Sequence, residues 1–595
     1  MFNTFCQYNQ FLVFLLGVLH FFSYYGFGAG CLQVIKASPK NIFLRCFSFS
    51  LGVLIISIIV QYLSFFQIMF YKTILSVLEY VLIIIGCIAL YTLRSELKKI
   101  LDEIKSNKYL FISLLIIVGG LLISIAPLSK HDELHYHALT PARLLSDGYM
   151  HFYMWPFEGA ILPQMFFQIS VTPLFAIHVP NAANVSGYMF SVLIFILLYC
   201  YTKSMTDKKY AFIASSICLI GMHTYVFHTT LGGHAYGEMS LLLLLLMLLF
   251  VKAFINIGRG YRIFILSTLC VAVLSSKLSH LPVIFIITCY IYYTEIFKAE
   301  NKISDYLCLL LPYILFYLPI LLYTFNVSGS PFGPVFANLF NNSVYNVTEI
   351  EHVLNRYSSK LPYLNLTITY FIKIICFDYS PVVIVSLLVY IIRGYRYNQI
   401  LFLFFIIQLM VIYLQLPHDI RFFGGTIYCV SIICLIHFYT QKMLFKKYKC
   451  IFVRVSMVIL ILYSCILCLY GSQFFGISLG IQTKQDFFQK KIAMYSDFIA
   501  LNKILPKNAT ILACGIRANG VYFPRDVIYD IRDYENKGSE LFILSPDDSI
   551  NNCETVPFRL GKKRYTNKNA NVVIFRTPFN KPLVKTVSVH ELITD

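Results

Sequence analysis

Residues 130–153, KHDELHYHALTPARLLSDGYMHFY, follow directly on the apolar run Tyr109–Pro127. They set His131, His135 and His137 around the adjacent carboxylates Asp132 and Glu133. A carboxylate partly withdrawn from water at the edge of an apolar layer holds a proton more tightly than in bulk, which suits it to general-base chemistry. Asp132 is the candidate base, with Glu133 holding base or substrate in place. Two other readings use the same residues. His131 with His135, and Glu133 with His137, are i,i+4 pairs able to share a divalent cation, although the order is not HExxH. Asp132 can also be an N-cap, with Glu133 favouring the positive start of a helix that runs to Asp147-Gly148.

Further residues could serve the same chemistry from a distance. Glu238, in GGHAYGEMSLLLLLLMLL, offers a second acidic group, with His223, His228 and His234 around it. Lys277, in SSKLSHLP, and Arg421, in HDIRFFGG, stand at the ends of apolar runs where topology does not demand a cation. Each either snorkels to lipid headgroups or clamps a phosphate, Arg421 through a two-pronged contact. No glycine-rich loop opens a helix, which argues against nucleotide-sugar or ATP-driven chemistry.

The elements that must position these residues are membrane helices. Of 595 residues, 58% are hydrophobic and 13% charged, and the mean hydropathy is +0.70. Apolar runs of roughly 20 residues recur and predict a polytopic α-helical membrane protein of about 14 spans. These fall near 9–28, 43–66, 73–92, 109–127, 184–202, 210–228, 238–256, 262–276, 281–297, 305–324, 379–393, 399–416, 423–440 and 453–474. The first reads as a retained span. The net charge of +19 sits mostly in alternate short loops. These include Lys36, Lys40 and Arg45, then Arg94, Lys98 and Lys99, then Lys203, Lys208 and Lys209. The positive-inside rule makes that face cytoplasmic and the N-terminus external, and removes nucleic acid as a partner. Loops 128–183 and 326–378 and the tail from 476 then share the outer face. The tail turns polar; NATILACG and NVVIFRTP read as strands and MYSDFIALNKIL as an amphipathic helix, together a small α/β domain. Cys514 and Cys553 are the cysteines in polar sequence, where a disulfide could form.

The Asp-Glu pair in the first outer loop, GGHAYGEM, SSKLSHLP, GSPFGPV before the long loop, HDIRFFGG near the last spans and an external C-terminal domain occur in that order. In this the chain resembles, from residue 109 to its end, the GT-C superfamily of polyprenyl-phosphate-sugar-dependent glycosyltransferases. The likeness is to bacterial protein mannosyltransferases and lipid A aminoarabinose transferases. Where many relatives carry Asp at the second acidic position, this chain has Glu238. The resemblance implies extra N-terminal helices over 1–92, a catalytic membrane module over 93–475 and an extracytoplasmic α/β domain over 476–595. It implies an inverting glycosyltransferase of a bacterial inner membrane, with its site on the periplasmic or extracellular side. Asp132, Glu133 and Glu238 would be catalytic and Lys277 and Arg421 would bind the donor phosphate. His131, His135, His137 and His234 would face substrate or a metal. No cofactor is required, and a divalent cation stays open. The partners are a polyprenyl-phosphate-linked sugar, membrane lipids, and a glycolipid, glycan or protein acceptor. The alternatives are a polymerase or ligase acting on lipid-diphosphate glycans, or a lipid or glycan transporter. A transporter would place charges at the bilayer midplane and show related halves, and the sequence shows neither.

Overall fold

The computed structural model describes residues 9–34, 41–68, 70–105, 110–130, 132–154, 159–219, 224–249, 258–297, 302–340, 343–345, 429, 433, 446–492, 495, 510–513, 526–528, 541–545 and 573–577. The chain is mostly helical. It opens with α1 (Gln10–Val34), α2 (Ile42–Phe65) and α3 (Tyr71–Lys105). Asn41 starts α2: its side-chain oxygen accepts from Leu44 N at 2.8 Å and satisfies one of the orphan N–H groups of a helix start. Gly28 lies against the backbone of Ser48 and Gly52 against that of Tyr24, so closely that neither position has room for a Cβ. Such contact drives helix association in lipid, where apolar side chains gain little by leaving a solvent as apolar as themselves. The outward stripe of α3 is Val77, Tyr80, Val81, Ile84 and Ile88, whereas Glu79 is fully buried. An apolar outside around a polar inside is the pattern a bilayer selects.

After α4 (Leu110–Ile125) come a π-helical turn, Glu133–His137, and α5 (Leu139–Asp147), which Gly148 ends in the left-handed conformation at φ 77°. The short helices α6 (Phe166–Ser170) and α7 (Thr172–Ala176) lead into α8 (Asn181–Lys203) and α9 (Lys208–Leu219). Next are a π turn over Thr224–His228, α10 (His234–Leu249), α11 (Arg259–Leu274) and α12 (Leu281–Ile291). α13 (Ile303–Pro312) and α14 (Leu318–Ser328) follow, then α15 (Lys446–Ser478) and α16 (Lys484–Lys491).

Among the described residues, seven stretches are long and apolar enough to cross a membrane: 10–34, 42–65, 71–100, 181–203, 278–297, 303–328 and 454–478. Four more expected spans coincide with the shorter helices α4, α9, α10 and α11. The three expected near 379–393, 399–416 and 423–440 lie outside the described residues.

Near the C-terminus, β1 (Thr510–Ala513), β2 (Asp526–Ile528), β3 (Leu541–Ser545) and β4 (Val573–Thr577) form one sheet in the order β2-β1-β3-β4. β1 pairs in parallel with β2 and β3, and β3 pairs antiparallel with β4, Leu541 opposite Thr577. β1 and β4 are the two strands expected from the sequence; β2 and β3 are additional. The helix expected in MYSDFIALNKIL lies, apart from Tyr495, outside the described residues, as do Cys514 and Cys553.

Candidate functional site

The segment after α4 folds around Glu133. Its Oε2 accepts from Ser129 N at 2.9 Å and Lys130 N at 3.3 Å, and its Oε1 accepts from Asn184 Nδ2 of α8 at 2.6 Å. The side chain is 1% exposed. Burial pushes its carboxyl upward, while the Lys130 ammonium, the Ser129 N–H and Asn184 pull it back. Asp132, which the sequence also allowed as an N-cap, has helical dihedrals (φ −67°, ψ −32°) and makes no capping hydrogen bond. With αR dihedrals in place of the extended backbone usual for a cap, Asp132 continues the turn rather than closing it. Asp132 is half-buried at the start of the turn, and its carboxylate is not spent on closing the helix.

His137 is positioned by a chain of bonds whose donors can be assigned. Gln168 Nε2 of α6 lies 3.1 Å from Leu231 O and 2.8 Å from His137 Nδ1. A carbonyl oxygen only accepts, so the Gln168 amide must present its NH₂, and His137 Nδ1 must accept. The proton of a neutral His137 therefore sits on Nε2. That nitrogen points at Gly232, where an added Cβ would lie 3.2 Å from it and 2.6 Å from His234 Cδ2. The His137 and His234 rings meet edge to face, centroids 6.2 Å apart. Gly233, at φ 66°, holds the turn that lets them approach. His135 is buried, its ring edge-on to Tyr136.

Glu238 lies near the start of α10, in its second turn, and is 4% exposed. His228 Nε2 is 2.7 Å from its Oε2, and His228 Nδ1 is 2.6 Å from Ser191 Oγ of α8. His228, which sequence reasoning placed only near this acid, is its direct partner. Lys277 is half-buried in the turn between α11 and α12. That turn is fixed from both sides: Leu278 N donates to Gln164 Oε1 at 3.2 Å and Phe166 N to Ser275 O at 3.4 Å. Lys277 and Glu238 both act electrostatically on His280. Thus the structure gathers Asp132, Glu133, His135 and His137 on one turn, sets His234 against His137, and brings Glu238 and Lys277 within reach of one histidine. His131 and Arg421 lie outside the described residues.

The i,i+4 residues Glu133 and His137 each have protein partners. Glu133 is taken up by Asn184 and backbone N–H groups and His137 by Gln168. Among the described residues, no three His, Cys, Asp or Glu side chains converge as an ion would require.

Beside this turn a cleft is lined by Tyr136, Thr140, Arg143, Asp147, His151 and Tyr153. Tyr153 OH donates to Asp147 at 2.7 Å and the Arg143 guanidinium covers the Tyr153 ring at 3.6 Å. Burial raises the Asp147 carboxyl, and Tyr153 and Arg143 oppose the rise. Arg143 also reaches Val527 O of β2 at 3.5 Å, so the sheet borders the cleft. Sequence reasoning missed Asn184, Gln168 and Lys130. The first two are single amides inside apolar runs with no local pattern. Lys130 was legible as the cation that opens the motif; its Nζ donates to Thr229 O at 3.1 Å and to Thr229 Oγ1.

No protein-family model matches the chain, and no curated protein matches it either.

Proposed function

We propose that this protein is a membrane glycosyltransferase that moves a sugar from a polyprenyl-phosphate donor to an acceptor hydroxyl, with Asp132 as the base. The observation that carries the reading is the division of labour within one Asp-Glu pair. Glu133 is consumed by Asn184 and two backbone N–H groups. Asp132, held next to it and half-buried, makes no capping bond. A buried anchor beside a partly desolvated carboxylate is what a positioned base requires.

In this reading the acceptor oxygen attacks the anomeric carbon as its proton passes to Asp132. The bond from that carbon to the phosphate oxygen breaks, and the polyprenyl phosphate leaves with the electron pair. Attack from the face opposite the phosphate inverts the centre. Lys277 and Arg421 stabilise the charge that grows on the phosphate, Glu238 acts through His228, and the Arg143 cleft takes the acceptor. The reading includes about 14 spans, a bacterial inner membrane, and a C-terminal α/β domain on the same outer side as the site.

The test is a transfer assay in membranes with a panel of labelled polyprenyl-phosphate sugars, comparing the intact protein with Asp132→Asn. Transfer that depends on one donor and is lost in the variant supports the assignment; equal transfer by both proteins overturns it.

A further inference from the structure

Two lysines from distant parts of the chain converge on one aromatic ring. Lys130 Nζ lies over the Phe474 ring at 5.7 Å from its centroid and Lys491 Nζ at 4.7 Å. Neither position is accidental. Lys130 is tied to Thr229 in the turn before α10. Lys491 is the last residue of α16, whose Phe487 and Phe488 are buried, Phe487 against Phe474 with centroids 6.2 Å apart. Lys491 also donates to Gln473. Most partners that hold the two ammonium groups, Thr229 and Gln473, are neutral. Glu133 is the carboxylate in electrostatic range of Lys130, and its oxygens are already bonded to Ser129, Lys130 N and Asn184.

Two half-buried like charges repel and lose hydration, a cost that an anion between them would offset. Both groups register it. Burial pushes the Lys130 ammonium down to about 8, Glu133 raising it in part and Lys491 lowering it further. Burial also lowers Lys491. The depth of the pair narrows the choice of anion. Phe474 is near the end of α15, where Ser478 Oγ donates to Leu122 O near the end of α4. Lys130 therefore lies where two apolar helices stop, the level at which lipid phosphates sit.

We propose that Lys130 and Lys491, both over the Phe474 ring where α4 and α15 end, bind the phosphate monoester of a lipid. The site deepens the reading above and rests on it for the polyprenyl nature of the lipid. It uses residues other than Lys277 and Arg421, which were considered there. Phosphate oxygens accept from both ammonium groups, Phe474 keeps water from one side, and the lipid chain runs along α4 and α15.

Full-length protein in nanodiscs of zwitterionic lipid is titrated with farnesyl phosphate, farnesol and inorganic phosphate. The expected result is that farnesyl phosphate binds at least about tenfold more tightly than farnesol, and that Lys130→Met and Lys491→Met each remove about that factor. Lys491→Met at the end of α16 leaves the Thr229 contact intact, so it decides the matter if Lys130→Met fails to fold. Lysine-dependent binding of inorganic phosphate alone would assign the site to the free ion; lysine-dependent binding seen only with farnesyl phosphate assigns it to the lipid. Equal affinity for phosphate and alcohol, or full affinity in Lys491→Met, overturns the site. If lysine-dependent binding holds but no polyprenyl-phosphate sugar supports transfer, the glycosyltransferase reading fails and the site stands. If transfer proceeds and both variants bind farnesyl phosphate as tightly as the parent, the site fails and the transfer reading stands.

Discussion

Toward the end of α3, Glu96 pairs with Arg45 of the first turn of α2 at 3.4 Å, and Glu103 takes Lys203 and, at 2.8 Å, Tyr199 OH at the end of α8. The side chains of the first pair are 25% and 37% exposed. Where the opening turn, α6 and the start of α10 meet, Glu133 and Glu238 are 1% and 4% exposed and are bonded to Asn184, backbone N–H groups and His228. A solvated ion pair contributes up to about 1 kcal/mol and tolerates change. A buried carboxylate held by neutral donors costs several kcal/mol to desolvate and is tolerable only when every lone pair is used. The first region keeps its charges in contact with water. The second carries the cost of buried carboxylates, and it is the region to which the proposed chemistry is assigned.

The comparison is tested hardest at Asp132. Asp132→Asn keeps the volume and, because Asp132 makes no capping bond, should leave expression and thermal stability nearly unchanged while transfer falls roughly 10²–10⁴-fold. A variant that transfers normally would reduce the second region to an expensive fold element. Glu133→Ala should behave in the opposite way. It strands Ser129 N, Lys130 N and Asn184 Nδ2, each left unsatisfied at about 1–3 kcal/mol, so yield and thermal midpoint should collapse before activity can be measured. Glu133→Gln can still accept from the two backbone N–H groups and should recover part of the stability. A Glu133→Ala protein as stable as the parent would show that the buried network contributes nothing.

The pair of Glu238 and His228 gives a smaller, sharper test. Glu238→Gln and His228→Asn each break the 2.7 Å contact, so the double variant should lose less than the sum of the singles, with a coupling on the order of 0.5–3 kcal/mol. Additive losses would mean that the two residues act separately.

Lys130 tests the second region through pH. In the folded protein its ammonium titrates near 8, below its ordinary value of 10.5. Below pH 8 both states carry the charge and the folded state bears its cost in full. Between about 8 and 10.5 the folded protein has lost the proton and the unfolded chain has not. The unfolded state then binds more protons, so stability should rise with pH across that window. Thermal shift measured against pH should show this slope in the parent and a flatter one in Lys130→Met. Parallel curves would show that the Lys130 environment is ordinary.

How much of this was legible in the sequence depends on the range of the signal. The long apolar runs placed α2 and α8 to within a few residues and the start of α1, which runs on past the expected end to Val34, because twenty consecutive apolar residues have few other fates. Asp147-Gly148 marked the end of α5 for an equally local reason. The Asp-Glu pair drew attention to the right turn but not to its division of roles. Asp132 could be read as base or cap, and the bond that anchors Glu133 comes from Asn184, on a helix beginning about 50 residues later. The link of His137 to Gln168 and Leu231 was hidden for the same reason, since neither partner has any local pattern. β2 was missed because DVI is too short to show a period of two, and LFILS, though as long as β4, was passed over.

The smallest effect is expected at the solvated pair. Arg45→Ala and Glu96→Ala each remove one side of a 3.4 Å contact that already shares its charges with water and, through Lys99, with a second cation at 3.4 Å. The side chains of Arg45 and Glu96 give up rotamer freedom to meet, and salt screens what they gain. Each substitution should therefore change stability by less than about 1 kcal/mol, and raising the salt concentration should shrink even that difference. Transfer should be unaffected. Because Arg45 also belongs to the basic loops used to orient the chain, Arg45→Ala has a second readout: the side on which a cysteine placed near residue 342 is labelled. One lost charge among the many in alternate loops should leave that side unchanged. A drop of 3 kcal/mol or more, insensitive to salt, would show that this pair is as buried in function as Glu133 is in structure, and the contrast between the two regions would have to be abandoned.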